Sequence, residues 1–439
     1  MVFSSSPFLF GFLPALLVVY HLLVWRRVEQ RWLNGLLVLA SLGFLAWASP
    51  WLPLAILAVV VTNFSIAQLR WRVPVALVAN LAVMLAFHYT AAGDALLPGL
   101  VALSFTIFQC LALCKADHAL TFADYLCGVL FFPRVMAGPL LTSAELVAGV
   151  GKRQHSVEAV AAGLTRFTFG LSKKLLLADP LSRMVDLAFG AGDGSLSTFV
   201  AWLGALAFAL QLYFDLSGYA DMAVGLGKML GFTLPESFES PYRSGSVTEF
   251  WRRWHLTLTE FFRSMLYRPL VGASGVARPA LALVLTFALV ALWHGPRWTF
   301  LCWAGVHVLA LMAENARGGM AFFSSMPKLL RAVPTFIVVM VGWVFFRAAD
   351  LESALRYLSA MAGMGEHFDS GYVLEKALTR DFNMVLLVVA SLATWMMPNS
   401  QFMLKRFTWW KGAIGLALLV LSAAMLMARG TEPFYYFRF

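Results

Sequence analysis

Residues 280–293 read ALALVLTFALVALW, and residues 294–298 follow at once as HGPRW. Over the first stretch the only hydrogen-bonding side chains are Thr286 and the terminal Trp293. A helix on a water-soluble domain would show a polar stripe; one that is apolar all round must be covered on every side by protein or lipid. The alternation of a membrane β-barrel strand is absent, and a helix satisfies its own backbone polar groups where no water is at hand. The same reading holds at residues 7–24, 33–49, 51–69, 74–90, 97–114, 163–178, 199–227, 298–313, 332–346, 383–397 and 412–428. A spanning helix needs about 20 mostly apolar residues. The chain has 439 residues, of which 60% are hydrophobic and 13% charged, well under the roughly 25% charged residues of soluble domains. The expected fold is therefore all-α, a polytopic integral membrane protein. With no internal repeat and no long polar linker, residues 1–439 read as a single membrane domain.

The net charge of +10 does not point to nucleic acid. Lys and Arg gather in the cytoplasmic loops of membrane proteins. Arg26, Arg27 and Arg31 follow the first apolar run, and Arg70 and Arg72 the third; the intervening stretches 49–51 and 91–97 carry neither residue type. This asymmetry places the N-terminus outside the cytoplasm. Lys405, Arg406 and Lys411 precede the last apolar run, which places the C-terminus outside as well. Residues 1–23 lack a basic n-region and a clear cleavage site, so they read as an uncleaved first span. Cys110, Cys114, Cys127 and Cys302 lie in or beside apolar runs without metal spacing, as small buried side chains do.

Two regions break the pattern. Residues 242–270, YRSGSVTEFWRRWHLTLTEFFRSMLYRPL, are dense in charge and aromatics. Ser246 followed by Glu249 fits a capping box, which predicts one helix over 246–263. On it Trp251, Trp254, His255 and Leu258 would share a face, and the segment is too polar to face lipid. The second region is 293–298, WHGPRW, where Gly295 and Pro296 imply a break at the end of a span.

Ionisable groups at membrane depth are costly and tend to be functional. Of the eight histidines, His21, His88, His118, His155 and His367 lie near span ends or in loops. His307 sits mid-span and reads as a packed, hydrogen-bonded core residue. His255 and His294 stand beside Trp and Arg at interrupted elements and are the candidates for chemistry. An imidazole, with an unperturbed pKa of ~6.5, suits a general base that deprotonates a hydroxyl. Arg252 and Arg253 would bind a phosphate-bearing donor or anchor an interface. Asp215 and Asp221 fall inside an apolar stretch and need cationic partners, with Lys173, Lys174 and the arginines of 252–268 at hand. Walker A, GxSxG and HExxH motifs are missing from the sequence, and no metal site is expected.

The strings FFPRVMAGPL (131–140), GLSKKLLLAD (170–179), YFDLSGYADMAVGLGKMLGF (213–232), SVTEFWRRWHLTLTEFFRSMLYRPL (246–270), ALWHGPRWTFLCWAGVH (291–307) and GWVFFRA (342–348), in this order and spacing, resemble the membrane-bound O-acyltransferases. The resemblance covers nearly the whole chain and is strongest to the bacterial branch that O-acetylates exopolysaccharides of the alginate and cellulose type. It implies a ring of tilted helices around a thin centre, with a cytoplasmic funnel for the donor and an exterior opening for the acceptor. It implies that His294 is the catalytic histidine and His255 the second one. It further implies acetyl-CoA as the acyl donor, no permanently bound cofactor, a periplasmic partner of the SGNH-hydrolase type, and residence in the bacterial inner membrane beside the polysaccharide machinery. Arg252, Arg253 and Lys174 would steer the donor's phosphates. The loop RPLVGASG after Tyr267, and Arg297 after Pro296, depart from the family's usual pattern. Rival readings are acyl or D-alanyl transfer to another envelope acceptor, or a secondary transporter using Asp215, Asp221 and His307 as a proton path.

Overall fold

The structure is a computed structural model that describes residues 2–90, 97–114, 120–151, 153–191, 196–273, 279–317, 325–364, 369–404 and 407–435. His118, His367, Lys405, Arg406 and positions 91–96 lie outside the described residues. All regular elements among the described residues are helical. The first part of the chain forms α1 (Leu13–Trp25, entered through a π-helical turn Phe8–Phe12), α2 (Gln30–Ala48), α3 (Leu52–Ile66), α4 (Arg72–Thr90) and α5 (Leu97–Cys114). Short helices α6 (Phe122–Leu130), α7 (Phe132–Val135) and α8 (Ser143–Val150) lead to α9 (Val157–Ser172), α10 (Asp179–Phe189) and the long α11 (Thr198–Met229). The interrupted region gives α12 (Val247–Trp251), α13 (Leu256–Phe262) and α14 (Arg268–Ala273). Then come α15 (Pro279–His294), α16 (Trp298–Ala316), α17 (Lys328–Arg347), α18 (Leu351–Ser359), α19 (Asp369–Leu378), α20 (Asp381–Trp395), α21 (Ser400–Met403) and α22 (Trp409–Arg429).

Each apolar run read from the sequence coincides with a helix. Among the described residues six helical stretches are long and apolar enough to cross a membrane, and five shorter apolar helices accompany them. This is a multi-pass membrane protein. Its contacts fall into two compact units that interleave in sequence, residues 1–175, 216–236 and 400–439 in one, 176–215 and 237–399 in the other.

In the first unit, α9 packs against the second half of α11 through glycines. A Cβ at Gly170 would lie 2.4 Å from the Gly218 carbonyl oxygen, and one at Gly225 would lie 2.5 Å from the Phe167 nitrogen. Such contact needs small residues, because helices in lipid associate by close packing rather than by escape from water. The seven-residue spacing of Gly163 and Gly170, and of Gly218 and Gly225, keeps each pair on one stripe. α22 covers α9 from another side, where a Cβ on Gly415 would meet Thr165 at 3.1 Å. Polar side chains at membrane depth are matched to partners: Asn63 and Asn80 exchange amide hydrogen bonds of 3.0 and 2.7 Å between α3 and α4. Arg134, in the FFPRVMAGPL string, is buried and donates to the carbonyls of Gly128 and Val129, so its part is structural.

In the second unit, phenol and indole groups tie helices together by their polar tips. Tyr242 donates to the Ala209 carbonyl at 2.8 Å and accepts from Trp343 Nε1 at 3.1 Å. Tyr357 donates to the Ala201 carbonyl at 2.9 Å. A large apolar body with one hydrogen-bonding tip suits such a junction.

The glycine contact gives a test. Gly170→Ala should lower the melting temperature in detergent, by about 1–3 kcal/mol of overpacking, because the clash is with backbone that cannot swing away. Gly35→Ala, where a new Cβ meets nothing within 4 Å, should leave the melt unchanged or raise it slightly. Equal melts for the two variants would show that α9 and α11 are not held at glycine contact distance.

Candidate functional site

The second unit gathers both singled-out histidines. His294 is the last residue of α15, and the chain turns at Gly295 with φ of +146°, a backbone state that favours glycine. The half-buried imidazole is ringed by aromatics. Its centroid lies 5.0 Å from that of Phe346, 5.4 Å from Trp303, 4.5 Å from Trp293 and 5.8 Å from Phe300. Such a wall packs the ring on several sides and leaves part of it accessible.

His255 differs from the expectation. Residues 246–263 do not form one helix. Ser246 does cap, accepting from the Glu249 amide at 3.0 Å, but the Glu249 carboxylate takes the Gly245 amide at 2.7 Å and not that of Ser246. α12 ends at Trp251, a turn follows, and α13 starts after His255, which holds a left-handed backbone at φ 44° and ψ 52°. The shared helical face of Trp251, Trp254, His255 and Leu258 therefore does not exist. For a residue with a Cβ this conformation costs roughly 1–2 kcal/mol, so the surroundings must enforce it. They do so through the segment 237–239. The Glu239 amide donates to the Arg253 carbonyl at 3.0 Å, and the Leu256 amide donates to the Ser237 carbonyl at 2.8 Å. This strap grips the chain on both sides of His255. The imidazole itself is 4% exposed and lies 5.5 Å from the Phe238 ring. Ring contacts run on from one histidine to the other: Phe238 to Trp254 at 5.2 Å, Trp254 to Trp343 at 5.1 Å, and Trp343 to Phe346, which lies against His294, at 5.5 Å. Sites of stored backbone strain cluster where function needs a fixed geometry.

The remaining candidates are placed as follows. Arg252 is exposed, and Arg253 pairs with Glu249 at 2.6 Å. Lys174 belongs to the first unit and is 2% exposed; its ammonium donates to the Pro433 carbonyl at 3.3 Å and stands 4.4 Å over the Phe434 ring. Asp221, also in the first unit, is buried between Arg166 at 2.6 Å and Lys173 at 2.7 Å, with Ser400 donating at 2.8 Å. Lys173 is among the partners expected from the sequence, and Arg166 is the one it did not suggest. Two cations and a hydroxyl hold this carboxylate, which leaves it poorly suited to a proton path. Asp215 is buried and belongs to the second unit. His307 is fully buried in α16 and accepts from Trp251 Nε1 at 3.3 Å, in line with the packed, hydrogen-bonded reading. Arg166 and Glu314 were missed. Arg166 is the one basic residue of α9 and Glu314 the one acidic residue of α16, and that signal was available at both positions.

No group of three or more histidine, cysteine or acidic side chains suited to a metal occurs among the described residues. The arrangement offers two imidazoles set in one continuous aromatic cluster, and an imidazole is suited to moving a proton off a nucleophile.

Residues 57–349 match the family model of the membrane-bound O-acyltransferase family. The chain is 38% identical to the probable alginate O-acetylase AlgI of Azotobacter vinelandii, over 83% of this chain and 79% of that protein. It is 34% identical to the probable alginate O-acetylase AlgI of Pseudomonas putida over the full length of both. It is 28% identical to the peptidoglycan O-acetyltransferase of Helicobacter pylori, over all of this chain and 98% of that one.

The left-handed turn generates a stability series. His255→Asn should melt highest, His255→Ala lower and His255→Val lowest, because Asn tolerates this backbone region and a β-branched residue does not. The spread should be about 1–2 kcal/mol. A Val variant as stable as the Asn variant would contradict the strained turn.

Proposed function

Because the chain belongs to the membrane-bound O-acyltransferase family, we propose that this O-acyltransferase moves an acetyl group from cytoplasmic acetyl-CoA toward O-acetylation of an exported polysaccharide, with His294 as general base. The observation that carries the reading is the His294 imidazole inside an aromatic wall that continues through Trp343 and Trp254 to the ring beside His255. A hydroxyl of the acceptor attacks the thioester carbonyl while His294 takes its proton. The C–O bond forms, the C–S bond breaks, and the proton passes on to the departing CoA thiolate. His255 assists by hydrogen bonding or by holding the proton in transit. Fixing both reactants in a dry site supplies proximity and strengthens the stabilisation of the developing oxyanion.

Arg252 and Arg253 are the side chains that would meet the donor's phosphates, since guanidinium groups bind phosphate in a fork. Lys174, in the first unit, spends its ammonium on the Pro433 carbonyl and the Phe434 ring. The acceptor side follows from the alginate O-acetylases named above. The immediate acceptor in this reading is a hydroxyl on a periplasmic SGNH-type partner, which hands the acetyl group to an alginate- or cellulose-type polymer. The protein would sit in the bacterial inner membrane with both termini outside the cytoplasm, as the arginines at 26, 27, 31, 70 and 72 direct.

The decisive experiment follows acetyl transfer and CoA thiol release by reconstituted protein given radiolabelled acetyl-CoA. His294→Ala should lower the rate by about 10²–10⁴-fold, the usual contribution of a general base, in a protein that stays folded and inserted; any drop in melt reflects the space the ring leaves in the aromatic wall. Full activity in a stable His294→Ala protein would remove the proposal. A C-terminal reporter active only in the cytoplasm should stay silent; a strong signal would reverse the assigned orientation.

A further inference from the structure

We infer that His307 and Glu314 are positioning residues that fix the place of His255, acting through α12 and not by touching the reactants. The inference rests on the reading of His255 and His294 as one acyl-transfer site. Its starting point is a single face of α16. Phe300, Trp303, His307 and Glu314 follow one another by three, four and seven residues, a spacing that keeps them on one side of a helix. The first two lie against the His294 ring, at 5.8 and 5.4 Å between centroids. The last two hold α12, the element that leads into His255.

α12 has five residues, too few to hold together by its own hydrogen bonds. Its first amides need outside acceptors. Glu314 supplies them. Its carboxylate accepts from the Val247 amide at 2.8 Å, the Thr248 amide at 2.9 Å and the Thr248 hydroxyl at 2.6 Å. Glu314 is 2% exposed, and a carboxylate so buried is costly unless its oxygens are satisfied. Here the satisfying donors come from α12, and a negative charge at a helix N-terminus is favourable. At the other end of α12, Trp251 donates its indole N–H to His307 Nδ1 at 3.3 Å. The helix is thus pinned at both ends by two side chains of α16. Beyond Trp251 the Arg253 and Trp254 amides close back on the Phe250 carbonyl at 2.9 and 2.8 Å, and the strap at 237–239 grips the chain after that. The backbone of His255 is left with the left-handed state as its way through.

A proton-relay role for His307 fits the geometry less well. Accepting at Nδ1 places the proton of the neutral ring on Nε2. That nitrogen meets no hydrogen-bond partner among the described residues, and it faces Gly342 so closely that a Cβ there would lie 2.9 Å away. The one hydrogen bond the ring makes among the described residues goes to Trp251.

The test uses the full-length protein in nanodiscs and follows CoA thiol release from acetyl-CoA. His307→Phe keeps a ring and removes the acceptor; Trp251→Phe removes the donor. Each should lower kcat by about tenfold to a hundredfold, the loss expected from misplacing a catalytic group by an ångström, with little change in KM. The double variant should be no slower than the worse single one, as for two groups acting through one contact. His307→Asn, whose amide oxygen stands where Nδ1 was, should restore most of the rate. The inference is overturned if His307→Asn is as slow as His307→Phe, if Trp251→Phe is fully active, or if activity and melting temperature fall together in His307→Phe and are not recovered in His307→Asn. A His255→Ala variant at the wild-type rate would instead remove the underlying reading, whereas a slow His255→Ala beside a fully active His307→Phe removes only this inference.

Discussion

One face of α16 is the constraint on which the second unit depends. Phe300 and Trp303 shape the wall around His294, while His307 and Glu314 hold the two ends of α12. A helix of 19 residues is stiff on the scale of these contacts, and its backbone hydrogen bonds do not depend on the site. It therefore works as a ruler between two histidines that are 39 positions apart in the chain, at 255 and 294. The aromatic packing supplies the area and the hydrogen bonds supply direction. Neither would suffice alone, because apolar contact does not fix rotation and a five-residue helix does not fix itself.

The first unit solves a different problem with similar means. Asp221 stands at membrane depth, where an uncompensated carboxylate is expensive. Arg166 and Lys173 compensate it, and Ser400 completes the shell. The glycines of α9 and α11 bring those backbones close enough for short salt bridges to form between neighbouring helices. Replacing a buried pair of this sort by apolar residues is often tolerated, whereas removing one partner is not. The arrangement reads as scaffold, and the candidate chemistry lies elsewhere.

The helical spans were legible because lipid imposes a simple rule: about 20 apolar residues per crossing, with backbone groups satisfied internally. The two histidines were legible because each interrupts that rule beside Trp and Arg. The broken helix at 246–263 was not. Periodicity places Trp254 and His255 on one helical face with Trp251, and nothing local announces a left-handed residue at a histidine. The strap that enforces it comes from Ser237 and Glu239, whose backbone amide and carbonyl carry no signal in the sequence. The capping role of Glu314 was hidden for the same reason, since its partners lie 66 and 67 positions away. Lys173 as a partner of Asp221 could be guessed from its neighbourhood in the string 170–179; Arg166 could have been found as the one basic residue of α9.

The central claim is that His255 and His294 act as one unit in acyl transfer. A double-mutant cycle on single-turnover thioester cleavage tests it most directly. Residues that work as a unit are strongly non-additive. His255→Ala combined with His294→Ala should be no slower than the worse single variant. Losses that multiply across the cycle, in proteins that melt like the wild type, would show that the two histidines contribute independently.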